Sequence, residues 1–330
     1  MKLAVCADLQ FDDQPAYSTL TAEGVTSRLL DFIECFNWIV DDAVSRRCDK
    51  LLLLGDIFDS RTTISLSVLH YVCKAVADAS KRIEIAMLVG NHDSMMRVPT
   101  VNSLQVFSGV ATIYEEPTVD GELAFLPWTG DPAVYREQAY ALSKTKGARF
   151  LFSHALFEGA VPKCGVGKPI DDVNPDAWAG ILLGDVHEPI VLRSNMRYCG
   201  APLQIHYGDA GGARGFLILD TKTAKTEFVE NTFSPRFHSV RTLAEAQAVE
   251  ANDFVWIRAE DAEVSAQIAE SLSKAPLTIR TDSVVQDDAG PRIEVAKDAD
   301  EEELVRQWLR FKDYSEHVVP RALAILEEVK

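Results

Sequence analysis

No pair of cysteines in this chain is spaced to work together. The six (Cys6, Cys35, Cys48, Cys73, Cys164, Cys199) are scattered without a CxxC spacing, which argues against a zinc knuckle or a disulfide framework and for reduced, mostly buried thiols. No apolar run is long enough to cross a bilayer, and the first one ends at Asp8. Neither a leader peptide nor a membrane span is therefore expected, and the cytoplasm is the expected compartment. Positive charge is scarce: 33 Lys and Arg face 50 Asp and Glu, a net of −17 over 330 residues. Nucleic-acid binders draw affinity from cations that neutralise phosphates, so this balance argues against one on its face. The deficit is uneven, however, with 20 acidic and 11 basic residues after position 240. Bound divalent cations would offset part of the remainder, and overall charge speaks to solubility and long-range steering rather than to one groove. Repeats and low-complexity tracts are missing too. What is there is globular, 47% hydrophobic and 25% charged, enough for one large core and a smaller appendage.

Strand-like runs and helix-period stripes alternate through the first 230 residues, as a layered α/β domain requires. Leu29, Phe32, Ile33, Phe36, Ile39, Val40 and Val44 stripe a helix over Val25 to Arg47, and Val68, Val72 and Val76 stripe another over Ile64 to Ala79. Strands are expected at 123–126, 149–152, 181–183, 216–219 and 226–229, with Gly or Pro nearby. From Phe237 to about Ile293, FVWIRA and LTIRTDSVV flank the helical SAQIAESLSK, which reads as a small α+β appendage. Two helices end the sequence, one with Leu304, Val305, Trp308 and Leu309 on a face, the other with Val319, Leu323, Leu326 and Val329 after Pro320. The expected division is 1–235, 236–295 and 296–330.

Four short motifs carry the chemistry: ADLQ at 7–10, GDIFD at 55–59, GNHD at 90–93 and GDVHEP at 184–189. Each follows an apolar run (LAVC, LLLL, IEIAMLV, ILL), so its polar residues sit where a buried strand ends and a loop opens. Open α/β sheets bind ligands at that edge. One Asp after a strand is an ordinary acidic cap; four such ends in order are a different matter. Phosphodiester hydrolysis must stabilise charge on the attacked phosphate and deliver hydroxide at neutral pH, and two divalent ions roughly 4 Å apart do both. One carboxylate must touch both ions, and Asp56, at the tip of the most apolar strand, is the candidate. Asp8 would hold the first ion and Asn91 the second, with His154 and His187 completing the shells.

These residues resemble the calcineurin-like metallophosphoesterases, whose pattern is DxH, GDxxD, GNHD or GNHE, a lone His and GHxH. Within that family the chain is most similar to double-strand-break repair nucleases of the SbcD type and their phage recombination-endonuclease relatives, because LPW at 126–128, GxP at 200–202 and RGFLILD at 214–220 also fall in order. The resemblance implies an α/β fold: a layered β-sandwich flanked by helices, a small α+β domain that caps the DNA, and a C-terminal helical pair. It implies that Asp8, Asp56 and His187 bind one ion and Asp56, Asn91 and His154 the other, with Mn2+ the first choice and Mg2+ the second. His92 would face the scissile phosphate and assist the leaving oxygen, Asp93 would orient its ring, and Asp59 would support the site. The implied activity is 3′-to-5′ exonuclease action on duplex DNA ends and endonuclease action on single strands, in recombination or repair in a bacterial or phage-infected cell. The C-terminal helices would dock on the coiled-coil base of an SbcC-type SMC-like ATPase, and helices of the phosphoesterase domain would pair two copies in a homodimer.

Two positions depart from the pattern: Gln10 replaces the His of DxH, and Asp185 replaces the first His of GHxH. Both still offer an oxygen to a cation, Gln as the weaker donor and Asp as an adequate one for Mg2+ or Mn2+. The added negative charge predicts a harder-ion preference and a less acidified water. The same departures feed a rival reading, a weakened phosphoesterase kept as a scaffold, although Asp56, Asn91, His92, His154 and His187 all remain. A small-molecule phosphodiesterase is a third reading, and it gives no reason for the extension of 90 residues. Arg61 and Arg97 lie in loops beside the expected metals, where each could clamp a phosphate or form a surface salt bridge. His70, His206, His238, His317, Trp128 and Trp178 read as packing or surface residues.

Overall fold

The computed structural model describes residues 1–95, 98–160, 169–170, 173–273, 278–281, 301–311, 318–321 and 323. They belong to two compact units, Met1–Thr281 and Asp282–Lys330.

The first unit begins with β1 (Lys2–Cys6), α1 (Ser27–Ser45), β2 (Lys50–Leu53), α2 (Leu66–Ser80) and β3 (Glu84–Leu88). Thr26 and Ser65 cap the two helices, their hydroxyls accepting from the Leu29 and Val68 amides. A hairpin of β4 (Ser94–Met95) and β5 (Val98–Asn102) leads to β6 (Thr112–Tyr114). Then come β7 (Thr118–Asp120), β8 (Leu123–Leu126), α3 (Pro132–Ser143), β9 (Phe150–His154), β10 (Gly180–Gly184) and β11 (Val191–Arg193). β12 (Met196–Tyr198), β13 (Gly215–Asp220) and β14 (Lys225–Glu230) complete the series. The strands form two six-stranded sheets, in the orders β14-β13-β1-β2-β3-β6 and β11-β12-β10-β9-β8-β7.

Alternation within single strands sets the layers. Leu3, Val5, Leu52, Leu54, Ala86 and Leu88 of the first sheet share a core with Phe125, Phe150, Phe152 and Leu182 of the second. The residues between them, Ala4, Cys6, Leu51, Leu53, Ile85 and Met87, pack with Phe32, Phe36 and Ile39 of α1 and Val72 and Val76 of α2. On the far side Leu126, Leu151, Ile181 and Leu183 pack with Tyr135, Ala139 and Leu142 of α3. Strands covered on both faces read as unbroken apolar runs, and the result is the expected β-sandwich flanked by helices.

Within the same unit, β15 (Phe237–Val240), α4 (Leu243–Ala246), β16 (Phe254–Ile257), α5 (Ala262–Leu272) and β17 (Thr278–Thr281) form a parallel three-stranded sheet with its own helices. Neither β15 nor α3 is among the expected elements. Val240, Val255 and Ile257 pack against Ile268 and Leu272. On the alternate positions, Phe237 and Phe254 close over Arg28, whose guanidinium lies 5.5 and 5.0 Å from their ring centres and 4.7 Å from that of Phe32. Arg28 is fully buried and donates to the Gln204 carbonyl. The boundary expected at 235/236 falls just before β15, inside the first unit, and the one expected at 295/296 lies outside the described residues.

In the second unit, α6 (Glu301–Phe311) exposes Leu304 and Trp308 and buries Leu309; beyond it, helix is described at 319–321 and 323. No helix among the described residues is long and apolar enough to cross a membrane. Cys6, Cys35 and Cys199 are buried free thiols, and Cys48 and Cys73 are half-buried ones. Cys164, Arg97 and His317 lie outside the described residues.

Candidate metal centre

Each expected ligand stands at or just past the carboxyl end of a strand. Asp8 follows β1, Asp56 follows β2, Asn91 and His92 follow β3, His154 ends β9, and Asp185 and His187 follow β10. β1, β2 and β3 are parallel neighbours in one sheet, β9 and β10 in the other, so both sheets deliver polar side chains to one edge. Reaching that edge bends the backbone. Asp8 (φ 53°), Gln10 (φ 43°), Asp56 (φ 53°) and Asp185 (φ 96°) all adopt left-handed conformations, which cost about 1–3 kcal/mol each for residues with a side chain. Gly55 (φ 89°) escapes that cost, and a Cβ there would strike His154 and Gly90; one at Gly90 would strike the Asp56 carboxylate.

Asp8, Asp56 and His154 are buried, with donor atoms within 4.8 Å of one another. His154 Nε2 lies 3.4 Å from Asp56 Oδ1 and 3.6 Å from Asp185 Oδ1. The Asp185 amide donates to the Asp8 carboxylate at 3.1 and 3.2 Å, and the His92 amide donates to Asp56 Oδ1 at 2.8 Å. Burial pushes the Asp8 carboxyl up to about 7, with Asp56 and Asp185 adding to the effect and His154 and His187 opposing it. Burial acts the same way on Asp56, but His154 and His92 outweigh it and hold that carboxyl down at about 2. His154 in turn rises well above the usual imidazole value, because Asp56 and Asp185 overcome its burial. Acids crowded out of water in this way are compensated by a cation.

The rings are set for the same purpose. His154 Nδ1 lies 2.7 Å from the Leu54 carbonyl, His92 Nδ1 meets the Asp59 carbonyl, and His187 Nδ1 lies 3.2 and 3.3 Å from the Asp209 carboxylate oxygens. Those oxygens accept, so in the neutral ring each Nδ1 carries the proton and each Nε2 keeps its lone pair.

Asn91 provides the sharpest test of fit. With its oxygen turned inward it faces His154 Nε2 at 2.7 Å, Asp56 Oδ2 at 3.2 Å and Asp185 Oδ1 at 3.1 Å, four acceptors converging as around a divalent cation. With the amide reversed, its nitrogen donates to all three and its oxygen accepts from Arg61 Nη2 at 2.7 Å. Gln10 is 5% exposed, and its side chain makes no hydrogen bond to other described residues. The donor set of Asp8, Asp56, Asn91, His154 and Asp185 therefore fits a divalent metal.

The remaining expected residues fall as follows. Asp93 does not orient the His92 ring. Its carboxylate accepts from the amides of Asp56 (2.7 Å), Ile57 (3.0 Å) and Gly90 (2.9 Å), tying the second motif to the third, while the Asp59 carbonyl holds the ring. Burial and the nearby Asp56 charge raise Asp93 to about 6 against those amides. Arg61 is exposed beside Asn91. His206 stacks obliquely on His187, with ring centres 5.7 Å apart. His238 is not a free surface residue, since its Nε2 lies 2.8 Å from Asp253. His70 is exposed, Trp178 is buried and Trp128 is half-buried. Asp209 is a site residue that the motifs do not reveal, because nothing in the spacing of LQIHYGD links it to a position 22 residues earlier.

Two nuclease subunits and a solved phosphatase are similar to parts of this chain. Exonuclease subunit 1 of Enterobacteria phage T4 is 27% identical over 202 residues, covering 56% of this chain and 57% of that protein. The SbcD subunit of nuclease SbcCD from Bacillus subtilis (strain 168) is 25% identical over 252 residues, covering 62% and 63%. The chain thus spans less than two thirds of the length of either relative. A dimetal phosphatase from Danio rerio is 14% identical over 66% of this chain and 91% of that one, with a TM-score of 0.41. Residues 1–177, which hold the first three motifs and His154, match the family model for the calcineurin-like phosphoesterases. The chain is a member of that calcineurin-like phosphoesterase family.

Proposed function

We propose that this chain is the nuclease subunit of an SbcC/SbcD-like recombination or repair complex, hydrolysing DNA phosphodiesters with two divalent ions, Mn2+ first and Mg2+ second. The convergence of Asp8, Asp56 and His154 donor atoms at the shared edge of two sheets carries this reading. Asp8, Gln10, Asp56 and His187 would hold one ion, and Asp56, Asn91, His154 and Asp185 the other. When bound, such ions withdraw charge from the phosphate and acidify water.

The protein's own groups do the rest. His92, with Nδ1 anchored on the Asp59 carbonyl and Nε2 4.0 Å from Asp56 Oδ2, would serve as the general acid in its doubly protonated form, giving the Nε2 proton to the leaving oxygen and keeping the one on Nδ1. Asp93 acts through the backbone, fixing the two loops that carry Asp56 and His92. Arg61, whose Nη2 lies 2.7 Å from the Asn91 amide, would clamp a substrate phosphate with two hydrogen bonds, and Arg97 would take the same role. Residues 236–295 would cap the DNA and 296–330 would dock on an SMC-like ATPase, with two copies pairing as a homodimer. Both relatives are named as nuclease subunits, which supports the partner.

The test is cleavage of end-labelled duplex and single-stranded DNA by the purified chain in Mn2+, then Mg2+, beside Asp56→Asn. Metal-dependent cleavage that the variant lacks is expected, shortening duplex ends 3′ to 5′ and nicking single strands. No cleavage even with the ATPase added would favour a scaffold, and turnover of nitrophenyl phosphodiesters without DNA cleavage would favour a small-molecule enzyme.

A further inference from the structure

His187 differs from its two companions in what holds it. His154 and His92 rest their Nδ1 atoms on backbone carbonyls, whereas His187 Nδ1 faces both oxygens of the Asp209 carboxylate, at 3.2 and 3.3 Å. We propose that Asp209 is a positioning residue for His187: it fixes the ring with Nδ1 protonated and strengthens Nε2 as a metal donor. This rests on the proposed assignment of His187 to the first ion.

Asp209 is built to stay where it is. It is 5% exposed, its Oδ2 accepts from the Ile205 amide at 2.9 Å, and its carbonyl accepts from Arg214 Nη2 at 2.9 Å. Arg214 is itself 5% exposed, and Nη2 lies 3.8 Å from Asp209 Oδ1. The carboxylate is thus tethered by an amide and set beside a cation, and both of its oxygens face His187 Nδ1. Histidine ligands whose second nitrogen donates to a carboxylate are locked in tautomer and orientation and become better donors.

His206 does not compete for Asp209. Its Nδ1 accepts from the Gly208 amide at 3.0 Å and stays 4.0 Å from Asp209 Oδ2, against 3.2 Å for His187 Nδ1. The placement has a chemical logic. The first ion is the one at which Gln10, a neutral amide, replaces an imidazole, and the remaining imidazole there is the one backed by a full negative charge.

The test is Mn2+ binding by the full chain, read by calorimetry and by the electron paramagnetic resonance of free Mn2+, with folding checked by circular dichroism. Wild type, Asp209→Ala, Asp209→Asn, His187→Ala and the His187→Ala/Asp209→Ala pair are compared. Asp209→Ala is expected to weaken one of two ions by about 10–100-fold and leave the other unchanged. Asp209→Asn, which keeps an acceptor but loses the charge, should fall between, and remains informative if the alanine variant fails to fold. In the His187→Ala background, losing Asp209 should cost nothing more. Unchanged binding in both folded Asp209 variants, equal weakening of both ions, or a further loss in the double variant would each overturn the proposal. Failure of wild type to bind Mn2+, or no effect of His187→Ala, would instead overturn the metal assignment beneath it.

Discussion

The two ends of the first sheet handle charge in opposite ways. Around the amino end, Lys50 reaches Glu84 at 2.8 Å and Asp120 at 3.3 Å, and Arg46 bridges Asp42 at 2.5 Å and Glu227 at 2.7 Å, all partly open to water. At the carboxyl end, Asp8 and Asp56 are buried, twisted into left-handed backbone, and set beside Asp185 and one another. The exposed pairs are worth about 0–1 kcal/mol each and serve the surface. The buried acids impose a cost that folding alone would shed by substitution. Opposite charges at one end pair off on the surface; the carboxylates at the other crowd together in the interior, where His154 and His92 hold Asp56 down but Asp8 still rises to about 7.

The largest effect that would sharpen this contrast is on catalysis. Asp56→Asn should lower phosphodiester hydrolysis about 1,000-fold or more, the scale of several kcal/mol of lost charge stabilisation, while Lys50→Met should leave the rate within about twofold. Single-turnover rates in Mn2+ would check both. Next comes the response to metal: at about 100 times its dissociation constant, Mn2+ should add about 2.7 kcal/mol per independent site, raising Tm by about 5–10 °C in a unit of this size. Calorimetric scans with and without chelator should show that rise in Lys50→Met and little of it in Asp56→Asn.

Backbone space gives a smaller difference. Gly90→Ala must displace the Asp56 carboxylate and should cost about 1–3 kcal/mol by overpacking, whereas Gly109→Ala, with nothing within 4 Å of its added carbon, should stay within about 0.5 kcal/mol. Urea midpoints would decide. The smallest effect concerns an acid away from both ends. Burial raises Asp253, but His238 and the Arg236 and Glu250 amides outweigh it and hold the carboxyl below its usual value. A depressed folded-state pKa contributes stability that is complete above the unfolded value and lost as pH falls through the folded one. The urea midpoint should therefore drop less between pH 6 and pH 3 in Asp253→Asn than in wild type, and an equal drop would show that the pair adds nothing.

The carboxyl end was legible in the sequence for a physical reason. Strands covered on both faces are apolar throughout, so the first Asp after LAVC or LLLL marks both the strand's end and the residue aimed out of it. Contacts that run through the backbone left no such mark. The Asp93 carboxylate binds three amides, and amides carry no sequence signature, so its place beside His92 in the chain misled. Asp209 reaches His187 only after the chain has turned through a short helical loop. α3 leaves a weak trace because Tyr135, Ala139 and Leu142 make a thin stripe, and β15 because His238 and Ser239 interrupt its apolar pattern.

Arg28 has a consequence for how this molecule can be divided. Burial lowers its pKa, and the rings of Phe237 and Phe254 shield a guanidinium that belongs to α1. A chain cut at residue 235 would strip that shield and flood the carbonyl of Gln204 with water beside a bared cation. The seam between the sandwich and the small three-stranded sheet is thus sewn from both sides, and a replacement for that sheet would have to carry a matching pair of aromatic residues with it.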